Sequence, residues 1–152
     1  MRKASADDIE RLVALMAEFY AEGGYPLDHR RAAGIFAELV ADARLGQVWL
    51  IQAGSRAVGH VVVTVCYSME YGGLIAIVDD LYVQPGYRGR GLATAALAEV
   101  RAWCAARSLR AIKVETGPDN AAAQAAYRRA GFVVKTDRQL MALELAAPTH
   151  VG

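Results

Sequence analysis

Apolar residues recur along this chain first at helical and then at strand spacing. Ile9, Leu12, Val13, Met16 and Phe19 fall three or four apart, so residues 6–20 read as an amphipathic helix. Ser5, with Asp8 three positions on, resembles a capping box that opens it, and Glu22 to Pro26 (E-G-G-Y-P) ends it. Ile35, Phe36, Leu39 and Val40 predict a second helix over 28–43. The pattern then changes. Residues 47–53, 57–67 and 74–83 are rich in β-branched and apolar side chains, and turn sequences at Gly54-Ser55-Arg56 and Tyr71-Gly72-Gly73 separate them. They read as strands joined by hairpins, with residues 1–4 as a short first strand. Leu92, Ala96, Val100 and Trp103 restore the helical spacing over 89–107. A strand over 110–116 follows, then a short helix opened by Pro118-Asp119 and ending near Gly131. Two closing strands are expected at 132–135 and 139–145, and a frayed end at 146–152. The strand–helix–strand run around 89–107 places two strands parallel through a right-handed crossover.

The chain has 152 residues, of which 55% are hydrophobic, with no repeat and no dividing linker, so a single domain is expected. Its net charge of +1 argues against a dedicated nucleic-acid binder. Cys66 and Cys104 read as reduced thiols packed in the core, and His29, His60 and His150 are scattered, so no metal is assigned. No apolar run approaches the ~20 residues needed to span a bilayer, and the start M-R-K-A-S-A-D-D lacks the apolar stretch of a signal peptide. A cytoplasmic protein without a membrane partner is the expectation.

The most informative stretch is V-Q-P-G-Y-R-G-R-G-L-A-T, Val83 to Thr94. A strand runs through Gly86, Gly89 and Gly91 into the start of a helix. The first amides of a helix have no partner within it and carry partial positive charge, and glycines let a ligand come close. Such a place binds phosphate, and Arg88 and Arg90 add charge. The glycine order is not that of the dinucleotide fingerprint, and no Lys follows Gly91 as in an ATP-type loop. Arg88 to Ala93, R-x-x-G-x-A, resembles the pyrophosphate loop of the GNAT superfamily of acyl-CoA-dependent N-acyltransferases. Asn120 to Phe132, N-A-A-A-Q-A-A-Y-R-R-A-G-F, resembles that family's second segment, with Asn120, Ala123, Tyr127, Gly131 and Phe132 in register.

The resemblance implies an α/β fold. Its sheet would be mixed, mostly antiparallel and twisted, with about six to seven strands, a central parallel strand–helix–strand unit and about four helices. It implies acetyl-CoA as acyl donor and no metal. Backbone groups of Gly89, Gly91, Leu92, Ala93 and Thr94, with Arg88 and Arg90, would hold the pyrophosphate. Main-chain groups of Leu81, Tyr82 and Val83 would pair with the pantetheine arm as an added strand does. A backbone N–H near Leu81 would face the oxyanion. Asn120 would contact the cofactor, although a helix-start Asn also caps. Tyr127 would lie near the sulfur. A thiol has a pKa of about 8.5 and a phenol about 10, so the phenol can protonate or hydrogen-bond a departing thiolate, and the alternative is an aromatic anchor beside Phe132.

The nucleophile must be a neutral amine, and at neutral pH only about one alkylamine in a few thousand is unprotonated. Asp79 and Asp80 stand just before the loop, where relatives carry a Glu or Asp that removes the proton. Adjacent strand residues face opposite ways unless a bulge intervenes, so one of the pair is expected to face the acceptor. Asp79 is preferred, as a base acting through water, and Glu115 is a second candidate. Tyr20, Tyr25, Tyr67, Glu70 and Tyr71 lie where the family varies its acceptor pocket, and tyrosines with acids suit a cationic amine. The expected activity is acetyl transfer from acetyl-CoA to a small cationic amine, by a monomer or homodimer. The alternatives are a non-catalytic acyl-CoA-binding or sensing domain, acetylation of a peptide or protein amine, and modification of aminoacyl-tRNA, which near-neutral charge disfavours.

Overall fold

The computed structural model describes residues 1–145, so the end expected to fray at 146–152 lies outside the described residues. Strands β1 (Arg2–Lys3), β2 (Gly46–Ala53), β3 (Arg56–Ser68), β4 (Gly73–Val83) and β5 (Ile112–Val114) form one sheet in the order β1-β2-β3-β4-β5. Every neighbouring pair is antiparallel except β4 and β5, which are parallel and joined through α3 (Leu92–Ala106). Helices α1 (Ile9–Gly23) and α2 (His29–Ala41) cover one face, and α3 with α4 (Ala121–Arg129) covers the other. No helix among the described residues is long and apolar enough to cross a membrane.

Both faces of the sheet are buried, which explains the near-continuous apolar runs of β2 and β3. Alternation sorts them. Val48 and Leu50 pack with Leu12, Leu15, Phe36 and Leu39 of the first helix pair. Trp49 and Ile51 pack with Leu97, Val100 and Cys104 on the other side. Cys104 is buried as expected, and its thiol is pushed up to about 11 by that burial. Cys66 is not in the core: β3 loses its cover near its end, and Cys66 and Tyr67 are exposed there.

The sheet has five strands among the described residues, not six to seven. The strands expected at 132–135 and 139–145 do not form, and Val133, Val134, Leu140, Met141, Leu143 and Leu145 are exposed. An apolar run can be fit to pair but supplies no partner. The edge on offer, β5, is three residues long. The segment is tied down elsewhere, by Arg138 donating to both carboxylate oxygens of Glu70 at 2.9 and 3.0 Å.

The start of the chain is fixed by Asp8. Its carboxylate accepts two hydrogen bonds from Arg2, at 2.7 and 2.6 Å, and one from the Ser5 N–H at 2.8 Å. The Arg2 bonds hold this carboxyl well below the usual range against the opposing effect of burial, and Ser5 adds to them. A depressed pKa gives stability that is present above the unfolded value, ~3.9, and is lost as pH falls towards the folded one. Asp8→Asn is therefore expected to lower unfolding free energy by about 1–2 kcal/mol at pH 7. Urea titrations at pH 7 and at successively lower pH below ~4 should show the gap to wild type closing.

Candidate functional site

The pairing of β3 with β4 contains an irregularity that shapes everything around it. Val62 faces Asp80 and Val63 faces Val78, so Asp79 is an extra residue on β4. Before this bulge Ala76 and Val78 point towards α3; after it, Leu81 and Val83 do. Tyr82 instead packs against α1 and α2, and Asp80, two residues earlier, shares that side. Beside the same point the sheet opens. β5 pairs with β4 only over Ala76–Val78, so from Asp79 to Val83 no strand among the described residues lies along that edge of β4.

A cavity of about 760 Å³ occupies the opening. Leu81, Tyr82 and Val83 line one side, Gly89 to Thr94 except Arg90 one end, and Asn120 and Tyr127 the opposite wall. The loop into α3 turns through Gly89 (φ 73°) and Gly91 (φ 76°), left-handed conformations that a side chain disfavours. The Ala95 N–H bonds to the Gly91 carbonyl at 2.9 Å, so Leu92, Ala93 and Thr94 precede it as the first helical turn, whose amides lack helical partners. These residues match the chemistry of a diphosphate. The two arginines are engaged with the protein itself. Arg88 donates to Glu22 at 2.8 and 2.9 Å and to the Val83 carbonyl at 2.7 Å. Arg90 donates to the Gly86 carbonyl at 2.9 Å and lies over the Tyr87 ring.

Tyr127 is 9% exposed, with its ring 5.5 Å from that of Phe132. Burial, with the charge of Asp80 added, pushes its phenol up to about 12. It is therefore a neutral hydrogen-bond donor at any working pH. Asn120 both lines the cavity and caps α4, accepting from the Ala123 N–H at 3.1 Å.

A second cavity, of about 420 Å³, is lined by Phe19, Tyr20, Gly23, Tyr25, Pro26 and Asp80. The end of α1 builds it. Gly24 takes a left-handed φ of 72°, and the Tyr25 N–H returns to the Tyr20 carbonyl at 2.9 Å. That reversal sets Tyr20 and Tyr25 edge to face, with ring centres 6.3 Å apart. Phe19 lines both cavities. Of the two acids, Asp80 rather than the preferred Asp79 forms this wall. Asp79 sits on the bulge, exposed, and its carboxyl is raised above the usual range by burial of part of its surface, then by the charges of Asp80 and Glu115. The Tyr20 phenol is raised by burial and by the charges of Asp80 and Asp79.

The other expected acceptor residues are elsewhere. Tyr67, Glu70 and Tyr71 surround the β3–β4 turn, about 20 Å along the strand from Asp80. Glu70 is bound to Arg138, and Lys113 lies over the Tyr71 ring. Sequence reading missed Phe19, which its helical spacing marked as core, and Glu22, which carries no local signal. It also passed over His60, although a lone histidine in the run V-G-H-V-V-V was such a signal. Glu18 and Glu22 accept from the Tyr82 hydroxyl, each at 3.2 Å, and Glu18 also binds Gln84, tying α1 to the end of β4.

The sequence matches the acetyltransferase (GNAT) family over residues 9–132. No curated protein matches it. Among solved structures, an integron cassette protein from the mobile metagenome of Cole Harbour Salt Marsh is 43% identical, with a TM-score of 0.87 over 97% of this chain and 91% of that one. A protein from Clostridium acetobutylicum, described as a predicted acetyltransferase and solved with acetyl-CoA, is 18% identical, with a TM-score of 0.77 over 93% and 94% of the two chains. An aminoglycoside antibiotic 6'-N-acetyltransferase from Acinetobacter baumannii is 18% identical, with a TM-score of 0.76 over 96% and 97%. With the family match spanning most of the chain, and a glycine loop and parted strands of the kind described above, this protein belongs to the GNAT family of acetyltransferases.

Proposed function

We propose that the protein transfers the acetyl group of acetyl-CoA to a small cationic amine, which attacks the thioester directly. The observation that carries this reading is the pair of adjoining cavities, sharing Phe19, with unpaired amides at the end of one and a carboxylate among aromatic rings in the other. The first offers an anion site and an open strand edge, which is what a diphosphate on an amide-bearing arm requires. The second offers Asp80 with Phe19, Tyr20 and Tyr25, which is what an alkylammonium requires.

In this reading each group has one task. The amides from Gly89 to Thr94 take the diphosphate, and the free edge of β4 at Leu81–Val83 takes the arm. Asp80 seats the ammonium. Asp79, whose raised pKa makes it a better base than an ordinary carboxylate, carries the proton out to water from its exposed position. Glu115 acts only through its charge on Asp79. Tyr127 stabilises the departing thiolate by hydrogen bonding. Full proton transfer from a phenol at about 12 to a thiolate of pKa about 8.5 is uphill, so the donor bond matters more than the transfer.

The reading is tested by incubating the purified protein with acetyl-CoA and spermidine, kanamycin, lysine or short peptides and measuring free thiol. Release with cationic amines supports it. Tight acetyl-CoA binding without release across the panel favours a sensing domain, and activity confined to neutral or acidic acceptors removes the cationic assignment. Gly91→Ala puts a side chain at a left-handed φ, at a cost of about 1–2 kcal/mol that lets the free loop relax away from this conformation, so acetyl-CoA binding, which requires it, should weaken by about tenfold in calorimetry. Tyr127→Phe should lower kcat at saturating substrates by about tenfold or more, with acetyl-CoA affinity little changed; an unchanged kcat excludes the donor role. A carboxyl raised in this way gains its base form at higher pH than an ordinary one, so kcat should rise with pH through that titration, and Asp79→Asn should abolish the rise.

A further inference from the structure

Behind Asp80 the sheet buries a histidine to which the reaction as described gives no task. His60 is 0% exposed, and neither of its ring nitrogens has a hydrogen-bond partner among the described residues. Aromatic rings enclose it: Phe19 at 6.4 Å, Phe36 at 6.4 Å and perpendicular, and Tyr82 at 6.0 Å between centroids. An unpaired buried donor or acceptor costs about 1–3 kcal/mol, and an apolar side chain of similar shape would fill this cage without that cost. The imidazole has one ionic neighbour within reach. Its Nε2 lies 3.8 Å from Oδ2 of Asp80.

The strand register explains the placement. On β3, His60 stands opposite Tyr82 and Val62 stands opposite Asp80, so His60 and Asp80 are diagonal neighbours. The Asp79 bulge turns Asp80 onto the same face as His60 and Tyr82. The carboxylate thus lies between a buried imidazole on one side and the aromatic cavity on the other.

The geometry points to His60 as a positioning residue for the acceptor amine. An Nε2–H on the imidazole holds one oxygen of Asp80, and the other is left for the incoming ammonium. The present gap closes to a hydrogen bond of ~2.9 Å with about 1 Å of side-chain movement. A carboxylate held at one oxygen is pre-organised for a cation, so less ordering is needed when the amine binds. The inference rests on Asp80 being the seat of the amine, as proposed above.

The test uses His60→Phe, which keeps the shape and removes the donor, and His60→Gln, which restores an N–H near the position of Nε2. Thermal melting and acetyl-CoA calorimetry come first, and both variants should fold and bind acetyl-CoA within about twofold of wild type. With spermidine or kanamycin as acceptor, His60→Phe should raise the acceptor KM by about tenfold, the loss of one hydrogen bond to a charged group, with a smaller effect on kcat. His60→Gln should recover most of that loss. An unchanged KM in His60→Phe, or no recovery in His60→Gln, overturns the role. An independent readout needs no turnover. In protein carrying nitrogen-15 histidine, long-range proton–nitrogen spectra show which ring nitrogen bears the proton. Asp80→Asn should shift the Nε2 resonance of His60, and an unmoved resonance overturns the contact. If no amine is acetylated while that resonance does move, the acceptor reading has failed and the His60–Asp80 contact stands.

Discussion

One additional residue in β4 governs how this site is assembled. Without the bulge at Asp79, alternation would send Asp80 towards α3 with Ala76 and Val78, into an apolar layer. A carboxylate there, without partners, would cost several kcal/mol or be neutralised. With the bulge, Asp80 and Tyr82 turn towards α1, while Leu81 and Val83 continue the apolar layer. The bulge also falls where β5 leaves β4, so the strand edge that opens is the one beside the redirected acid. The bulge thus supplies the charged wall, and the shortness of β5 supplies the accessible backbone beside it.

Opposite charges are kept at separate ends of this space. Unpaired amides at the start of α3 suit an anion, and Asp80 among aromatic rings suits a cation. Tyr127 lines the first cavity, and its phenol is raised by burial and then by the charge of Asp80. The arginines of the loop, which from sequence alone look free to meet phosphate, are spoken for: Arg88 by Glu22 and the Val83 carbonyl, Arg90 by the Gly86 carbonyl. The ion pair between Arg88 and Glu22 fastens the end of α1 to the loop. The same helix end carries Phe19, Tyr20 and Tyr25, so the aromatic cavity and the glycine loop share one structural attachment.

Much of this was legible in the chain because local chemistry specifies it. The spacing of Ile9, Leu12, Val13, Met16 and Phe19 gives α1 whatever it packs against, and Gly24 stops it because few other residues accept its φ. Gly89, Gly91 and the helix after them mark an anion site by backbone geometry alone. The two motifs also placed Tyr127 and Asn120 on the same cavity wall.

Other features depend on partners distant in sequence, and there the chain was silent or misleading. The apolar residues of 132–135 and 139–145 show only that those segments could pair; β5 is too short an edge, and Arg138 is held by Glu70 instead. Tyr67, Glu70 and Tyr71 share the chemistry of Tyr20 and Tyr25, but the length of the β3–β4 hairpin carries them away from the cavity that Tyr20 and Tyr25 line. That Asp80 and not Asp79 lines the aromatic cavity follows from a register shift against Val62 and Val63, which no reading of β4 by itself contains. The sequence by itself determined the helices, the hairpins and the glycine loop before α3, since backbone preference and apolar period act within a few residues. Only the tertiary structure decided which acid, which tyrosines and which histidine meet, since strand register and the reversal after α1 set those distances.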